Sequence, residues 1–227
     1  MKHKRLTLFA GHYGSGKTNI AVNYALHLAK EGKPVCIADL DIVNPYFRTA
    51  DSRQELESAG VELISPRFAN SNVDLPALPA QAYKLVQDKR CYGIMDIGGD
   101  DRGAYALGRY VPYMKQEKDY RMVYVANCYR PLTRTAAEAL EVMQEIETAC
   151  GLAFTDIVNN SNLASETDVQ AVLDSRDFIQ ELSELSGLPV FMTTVRADLA
   201  ERVRKHIPNV LPLHLQEKYF DLPDQKL

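Results

Sequence analysis

Short apolar runs alternate along the chain with segments in which apolar residues recur at helical spacing. Runs of this length, apolar throughout, are typical of strands that are buried on both faces of a sheet. The runs are Leu6–Ala10, Val35–Leu40, Cys91–Ile97, Met122–Ala126, Phe154–Val158 and Val190–Thr194. Their order along the chain predicts that each strand is joined to the next by a helical crossover.

The helical segments have recognisable ends. Apolar residues between Ile20 and Ala29 recur at helical spacing, and Gly32 follows them as a stop signal. Residues 136–150 present one apolar face, and Val169–Leu185 predicts a helix or a pair of helices. We therefore expect an α/β fold, with a mostly parallel sheet and helices on both of its faces. Residues 65–79 fit neither pattern and predict a long loop.

The turn after the first predicted strand matches the pattern G-x-x-x-x-G-K-[ST] in full. It follows a strand and opens a helix, which is the setting in which this pattern cradles phosphate groups. Glycines allow backbone N–H groups to approach an anion closely, and the start of the helix attracts the same negative charge. Lys17 would neutralise phosphate charge, and the Thr18 hydroxyl would ligate Mg²⁺. The predicted nucleotide-contacting residues are Gly11, His12, Tyr13, Gly14, Ser15, Gly16, Lys17, Thr18 and Asn19.

Two further strands end in carboxylates. The second ends in Asp39-Leu-Asp41, and residue alternation puts both aspartates on one side of an extended segment. Asp96, followed by Gly99, ends the strand that begins at Cys91. Ligands of parallel sheets bind at the carboxyl ends of the strands, so these acids are expected beside the phosphate loop. We expect Thr18 and Asp96 to hold Mg²⁺, and we expect one of Asp39 and Asp41 to help hold the metal while the other orients a water molecule.

The order and spacing of these motifs resemble those of one class of P-loop proteins, the SIMIBI class. It includes the MinD/ParA ATPases, the nitrogenase iron protein and CobQ/CobB-like enzymes, and the similarity covers residues 4 to 200. The resemblance implies a nucleotide switch that forms a homodimer and acts on a client protein. The resemblance assigns Lys17 and Asp41 to catalysis, with Asp41 positioning the attacking water. It also implies that Asp39 supports the metal and that Asp96 is the Walker B acid.

The same resemblance places the base-binding residues late in the chain. Asn159 and its neighbour Asn160 look like the adenine-binding asparagine of the class, and Arg196 lies in the segment that resembles the loop covering the base. An asparagine amide can pair with adenine N6 and N7. The sequence lacks the guanine-reading patterns N-K-x-D and T-K-x-D. ATP with Mg²⁺ is therefore the expected ligand.

One position departs from the MinD/ParA pattern. Those proteins carry a second lysine early in the phosphate loop, which reaches the nucleotide of the partner subunit, whereas this chain has His12 followed by Tyr13. A neutral imidazole does not replace a permanent ammonium charge at neutral pH. The symmetric dimer with shared nucleotides is therefore less firmly implied than the nucleotide site itself.

Length, charge and composition exclude several classes of protein. The length of 227 residues, the ordinary apolar and charged fractions of 46% and 25%, and the absence of linkers predict one domain over residues 1–227. A net charge of −4 argues against a nucleic-acid-coating protein. The sequence contains no transmembrane run and no complete signal peptide, and its C-terminal segment carries too much negative charge for a membrane anchor, so we expect a cytoplasmic protein. Its four cysteines form no C-x-x-C pair, which argues against a cysteine metal cluster or a disulfide framework.

Three functions remain open. The first is an ATPase switch acting on a partner protein. The second is an ATP-dependent ligase or amidotransferase of the CobQ/CobB-like kind, which requires basic residues near the γ-phosphate. A GTP-dependent metallochaperone-like protein is a further alternative. The third is a binding module that does not hydrolyse its nucleotide. The basic residues available for the second function are Arg48, Arg67, Arg102 and Arg130.

Overall fold

The computed structural model describes residues 3–41, 49–65, 82–98 and 107–215. Its strands form a parallel sheet of eight in the order β3-β2-β4-β1-β5-β6-β7-β8. The strands are β1 (Leu6–Ala10), β2 (Val35–Leu40), β3 (Glu62–Ile64), β4 (Tyr92–Ile97), β5 (Tyr120–Ala126), β6 (Asp156–Asn159), β7 (Val190–Arg196) and β8 (Val210–Leu213). The predicted α/β class and parallel sheet are confirmed.

Helices connect these strands and cover both faces of the sheet. They are α1 (Lys17–Lys30), α2 (Arg53–Ser58), α3 (Tyr83–Gln87), α4 (Val111–Glu117), α5 (Ala136–Cys150), α6 (Val169–Asp174), α7 (Arg176–Ser186) and α8 (Ala200–Val203). Short 3₁₀ turns occupy Thr49–Ser52, Ala164–Glu166 and Ala197–Leu199. The segment predicted as one helix or two is a pair, α6 and α7. No helix in the described part of the chain is long and apolar enough to cross a membrane.

The two faces of the sheet bury separate apolar clusters. Leu8 of β1 packs with the cluster beneath α3, α4, α5 and α7, whereas its neighbour Phe9 packs with the cluster beneath α1 and α2. Successive side chains of a strand point to opposite faces, so a strand covered on both sides is apolar at most of its positions. The continuous apolar runs in the sequence have this origin.

Some elements differ from those predicted, both at the edges of the sheet and within it. The edge strands β3 and β8 were not predicted, because each is short: β3 has three residues and begins with Glu62, and β8 has four residues with Pro212 among them. Strand β6 begins later than predicted, at Asp156. The Glu147 side chain of α5 accepts a hydrogen bond from the Phe154 backbone N–H at 2.7 Å, which ties that residue to the helix. The predicted loop 65–79 lies, after Ser65, outside the described residues.

Candidate nucleotide phosphate site

The turn between β1 and α1 has a backbone that only glycine adopts easily. Gly16 has a φ of 91°, a left-handed conformation that disfavours residues with a Cβ. A Cβ on Gly16 would overlap the Nδ2 of Asn160, and one on Gly11 would lie 2.6 Å from the Val125 carbonyl oxygen. The glycines of the motif therefore let the loop pack closely against the ends of β5 and β6.

Hydrogen bonds within the loop determine its curvature. The Ser15 backbone N–H donates to the His12 carbonyl at 3.1 Å, and the Lys17 Nζ donates to the same carbonyl at 3.1 Å. Lys17 lies in the first turn of α1 and is almost fully buried. The loop therefore holds an ammonium group within its own concavity, where a phosphate would meet it.

The side chains at the tip of the loop differ in exposure. The ring of Tyr13 is 56% exposed, and the Nδ1 of His12 lies 2.9 Å from the Tyr13 carbonyl oxygen. Asn19, in the first turn of α1, accepts a hydrogen bond on its backbone carbonyl from the Asn23 side-chain amide at 2.8 Å. His12 and Tyr13 thus border the loop at the surface of the chain.

Two of the predicted acids face one another across neighbouring strands. Asp39 of β2 is paired in register with Asp96 of β4, and both are buried. Asp41 directly follows β2, and its backbone N–H donates to Asp39 Oδ1 at 3.2 Å. Since β4 also pairs with β1, Asp96 lies on the strand next to the one that leads into the phosphate loop, and Asp39 lies one strand further along the sheet. The structure therefore brings together the lysine, threonine and aspartates that the sequence predicted.

The environment of Asp96 disfavours its negative charge. Complete burial and the neighbouring charge of Asp39 raise the pKa of Asp96 to about 7, while the Thr18 hydroxyl and the Lys17 ammonium act in the opposite direction. The Thr49 hydroxyl donates to Asp96 Oδ2 at 2.9 Å. Its Oδ1 has no hydrogen-bond partner in the described part of the chain. A buried carboxylate oxygen without a donor, next to a second carboxylate, is a position that a cation would stabilise.

Magnesium fits this group of residues. Mg²⁺ prefers oxygen ligands and is usually bound through one or two carboxylates together with substrate phosphates. Thr18, Asp39 and Asp96 offer hydroxyl and carboxylate oxygens next to the phosphate loop. Thr49 donates a hydrogen bond to Asp96 and was not predicted, because it belongs to no recognisable motif in the sequence.

The two late asparagines have structural partners in this conformation. Asn160 Nδ2 donates to the Ser15 carbonyl at 2.6 Å, and the Thr194 hydroxyl donates to Asn160 Oδ1 at 2.6 Å. Asn159 Nδ2 donates to Ser175 Oγ at 2.8 Å, and its Oδ1 accepts from the Ser161 backbone N–H at 3.1 Å. Both side chains are buried, and the role in base binding stays a prediction for each.

Arg196, the other predicted base-binding residue, lies at the end of β7. Its guanidinium forms a two-pronged ion pair with Asp198, with N···O distances of 2.6 and 2.9 Å. It also donates to the Ser165 carbonyl at 3.3 Å. These contacts join the end of β7 to the segment after β6, and a nucleotide contact by Arg196 stays a prediction.

Arg130 is the described candidate among the arginines proposed for the γ-phosphate. Its Nε is buried without a hydrogen-bond partner in the described part of the chain. The same nitrogen lies 3.9 Å from the position that a Cβ on Gly14 would occupy. An arginine therefore borders the phosphate loop, whereas Arg48, Arg67 and Arg102 lie outside the described residues.

Comparison with known proteins finds similarity in structure and not in sequence. No protein-family profile matches the chain, and no curated protein sequence matches it. The fold is similar to the signal recognition particle receptor FtsY of Elizabethkingia anophelis in complex with GDP, with 17% identity and a TM-score of 0.56 over 86% of this chain. It is also similar to FtsY of Thermotoga maritima, with 19% identity and a TM-score of 0.54 over 84%.

A third similar structure is the 54 kDa signal recognition particle protein of Aeropyrum pernix K1 in complex with GDP, with 16% identity and a TM-score of 0.56 over 85% of this chain. The chain spans 58% and 61% of the lengths of the two FtsY structures and 41% of the Aeropyrum pernix structure. At this identity the similarity concerns the fold. The chain has the α/β fold of P-loop nucleoside triphosphatases, the fold of FtsY and of the 54 kDa protein, with the phosphate loop in its expected place.

Proposed function

We propose that this protein binds a nucleoside triphosphate with Mg²⁺ at the phosphate loop, hydrolyses it, and acts as a nucleotide-dependent switch on a partner protein. One observation carries the proposal. The buried Asp39–Asp96 pair lies beside the strand that leads into a glycine-rich loop, and this loop encloses the Lys17 ammonium. Buried acids of this kind are destabilising unless a cation accompanies them. Binding Mg²⁺ and a polyphosphate together would satisfy both halves of the site.

Each residue has a chemical task in this proposal. Lys17 and the backbone N–H groups of the loop neutralise and orient the phosphates, which is the main contribution of P-loop proteins to phosphoryl transfer. Thr18, Asp39 and Asp96 hold the magnesium, which neutralises charge on the phosphate oxygens when it is bound. Asp41, next to this cluster, orients the attacking water.

The proposed nucleotide is ATP. Support comes from the absence of a guanine-reading motif and from the asparagines at the end of β6. Two of the similar structures were solved with GDP, so GTP is the natural competitor in the test. Asn159 would have to exchange its hydrogen bond to Ser175 in order to read a base.

The switch proposal concerns the segments that follow the acids. Asp41 directly precedes residues 42–48, and Gly98 directly precedes residues 99–106, so the chain leaves the metal-binding strands at these two points. The proposed switch segments are residues 41–48 and 98–102, which would respond to the state of the bound nucleotide; after Asp41 and Gly98 they lie outside the described residues. The client protein and a nucleotide-dependent homodimer are parts of this proposal, with His12 at the position from which other members of the class reach their partner.

An ATP-dependent ligase is the second candidate function, and Arg130 is the observation that favours it. Its Nε is buried beside Gly14 and has no hydrogen-bond partner among the described residues, so it would hold a carboxylate substrate or an acyl phosphate near the γ-phosphate. Release of phosphate that depends on an added carboxylate would favour the ligase. Release without one would favour the switch.

Calorimetry with Mg-ATP and with Mg-GTP tests the proposed site. We expect wild-type protein to bind Mg-ATP and the Lys17→Ala variant to lose that binding, because the ammonium that meets the phosphates is gone. Lys30→Ala is the matched control, since it removes an exposed lysine from the other end of the same helix. Equal binding by wild type and Lys17→Ala would refute the site, and preference for Mg-GTP would replace the proposed nucleotide.

A further inference from the structure

A second group of titratable side chains lies at the end of α1 farthest from the phosphate loop. His3 precedes β1, His27 is in the last turn of α1, and Glu31 caps that helix. One ligand atom from each of the three residues lies within 4.8 Å of the other two. The His3 Nε2 is 3.3 Å from Glu31 Oε2, and the His27 Nε2 is 3.2 Å from Glu31 Oε1.

The fold holds these side chains in a convergent arrangement. His27 and Glu31 are four residues apart, so they lie on the same face of the helix. The rings of His3 and His27 have their centroids 6.0 Å apart. Two imidazoles from different elements thus direct their Nε2 atoms at the two oxygens of one carboxylate.

A buried tyrosine orients the first of these histidines. The His3 Nδ1 lies 3.0 Å from the Tyr24 hydroxyl, and Tyr24 is fully buried. When Nδ1 carries the proton and donates to Tyr24, the Nε2 lone pair faces Glu31. Ligating histidines commonly donate their second ring N–H to an oxygen in this way, which fixes the ring for metal binding. Burial, assisted by the charge of Lys33, lowers the pKa of His3.

We propose that His3, His27 and Glu31 bind one divalent transition-metal ion, with zinc as the representative ion. Two imidazole nitrogens and one carboxylate oxygen form a ligand set typical of zinc sites that keep a position open for water. The two distances from Nε2 to a Glu31 oxygen, 3.3 and 3.2 Å, are close to the separation of about 3.4 Å between neighbouring ligand atoms of a tetrahedral zinc ion.

The site is independent of the nucleotide site. Helix α1 has 14 residues, and at 1.5 Å of rise per residue it separates the two sites by roughly 20 Å. A metal ion would join the segment before β1 to the end of α1. Its role would therefore be to hold the first strand and the first helix together, and it would take no part in phosphate chemistry.

A nearby lysine competes with the proposed metal ion. The Lys33 Nζ contacts Glu31 Oε2, the same oxygen that faces His3. A metal ion at the site would displace this ammonium, because both cations use one carboxylate. The identity of residue 33 should therefore set the affinity of the site.

Zinc titration by calorimetry tests the proposal on the full-length chain without an affinity tag. We expect one zinc ion per chain, with binding weakened at least ~10-fold in both His27→Gln and Glu31→Gln, since each variant removes a ligand. Lys33→Ala should bind zinc more tightly than wild type. His206→Gln is the matched control, because it removes an exposed histidine elsewhere in the chain and should leave zinc affinity unchanged.

The variants separate metal binding from folding. His27 and Glu31 have side chains that are 39% and 38% exposed, so their replacement should leave the circular dichroism spectrum unchanged. Cobalt absorption gives a second readout, because imidazole and carboxylate ligands produce visible bands that His27→Gln should alter. Failure of the wild type to bind zinc would overturn the proposal, as would equal affinity in wild type, His27→Gln and Lys33→Ala.

Discussion

At the scale of single residues, glycines in the phosphate loop differ from glycines at helix ends. Gly16 and Gly32 both have positive φ angles, 91° and 76°, but only Gly16 has an atom within reach of an added Cβ. Both positions would suffer the left-handed strain of a non-glycine residue, about 1–2 kcal/mol. Only at Gly16 would a methyl group also push against the Asn160 amide.

Replacing each glycine by alanine tests this difference. We expect Gly32→Ala to lower the free energy of unfolding by about 1 kcal/mol. Gly16→Ala should lower it by about 2–4 kcal/mol, since overpacking adds to the strain. Urea denaturation monitored by circular dichroism provides the measurement. Equal losses in the two variants would show that the contact with Asn160 does not restrain the loop.

Asp41 should affect turnover and leave binding largely intact. It lies beside the acids without being a proposed magnesium ligand, so Asp41→Asn should keep Mg-ATP affinity within about twofold. The rate of phosphate release should fall by about 10²-fold or more, the scale of a general base or water-positioning group. Asp174→Asn, an exposed substitution at the end of α6, is the control. Unchanged phosphate release in Asp41→Asn would exclude Asp41 as the water-orienting residue.

At the scale of elements, α5 is defined at both ends by local sequence. The Thr135 hydroxyl accepts from the Glu138 backbone N–H at 3.2 Å, and the Glu138 carboxylate accepts from the Thr135 N–H at 2.9 Å. Gly151 ends the helix with a φ of 71°. These reciprocal bonds satisfy backbone groups that a helix end otherwise leaves without partners.

The contribution of this cap can be measured against another threonine of the same helix. Thr135→Ala should lower the free energy of unfolding by about 1 kcal/mol, the usual loss of an N-cap. The Thr148 hydroxyl only donates back to the Gln144 carbonyl within the helix, so Thr148→Ala should change stability by less than about 0.5 kcal/mol. Thermal unfolding of the two variants in parallel provides the comparison. A larger loss in Thr148→Ala would contradict the assignment of the cap.

At the scale of the whole molecule, the buried acids at the centre of the sheet lower the stability of the metal-free protein, although the proposed function needs them. Asp96 lies on β4 between β1 and β2, opposite Asp39, where burial raises its pKa to about 7. Above that pH Asp96 carries a negative charge that burial and Asp39 disfavour, and the Thr18 hydroxyl and the Lys17 ammonium offset this only in part. The cluster is therefore suited to binding a metal ion and unfavourable to the stability of the metal-free protein.

Asp96→Asn should reveal this opposition. At pH 8 with a chelator present, the free energy of unfolding of the variant should be about 1–3 kcal/mol higher than that of wild type. The substitution removes a buried charge, and the asparagine oxygen still accepts the hydrogen bond from Thr49. Its Mg-dependent nucleotide binding should be lost. Asp156→Asn is the contrasting variant: its carboxylate pairs with Arg121 at 3.0 Å, so its removal should lower stability. A less stable Asp96→Asn would mean that the charge is compensated within the protein.

The sequence by itself determined the features that depend on local chemistry. Apolar runs indicated the inner strands β1, β2, β4 and β5, since strands covered on both faces are apolar at most positions. The phosphate loop was determined by its glycines and by Lys17, because an anion site made from backbone N–H groups needs those residue types in one continuous segment. The acids were predicted from another local feature: each lies at the end of an apolar run, where parallel sheets bind their ligands.

Only the tertiary structure decided the contacts between segments that are distant in sequence. It paired Asp39 with Asp96, placed Thr49 on Asp96, and joined Asn160 to Ser15 and Thr194. It also brought His3 to His27 and Glu31, which no spacing in the sequence indicates. Such contacts follow from strand order and helix packing, and these depend on how the whole chain buries its apolar surface.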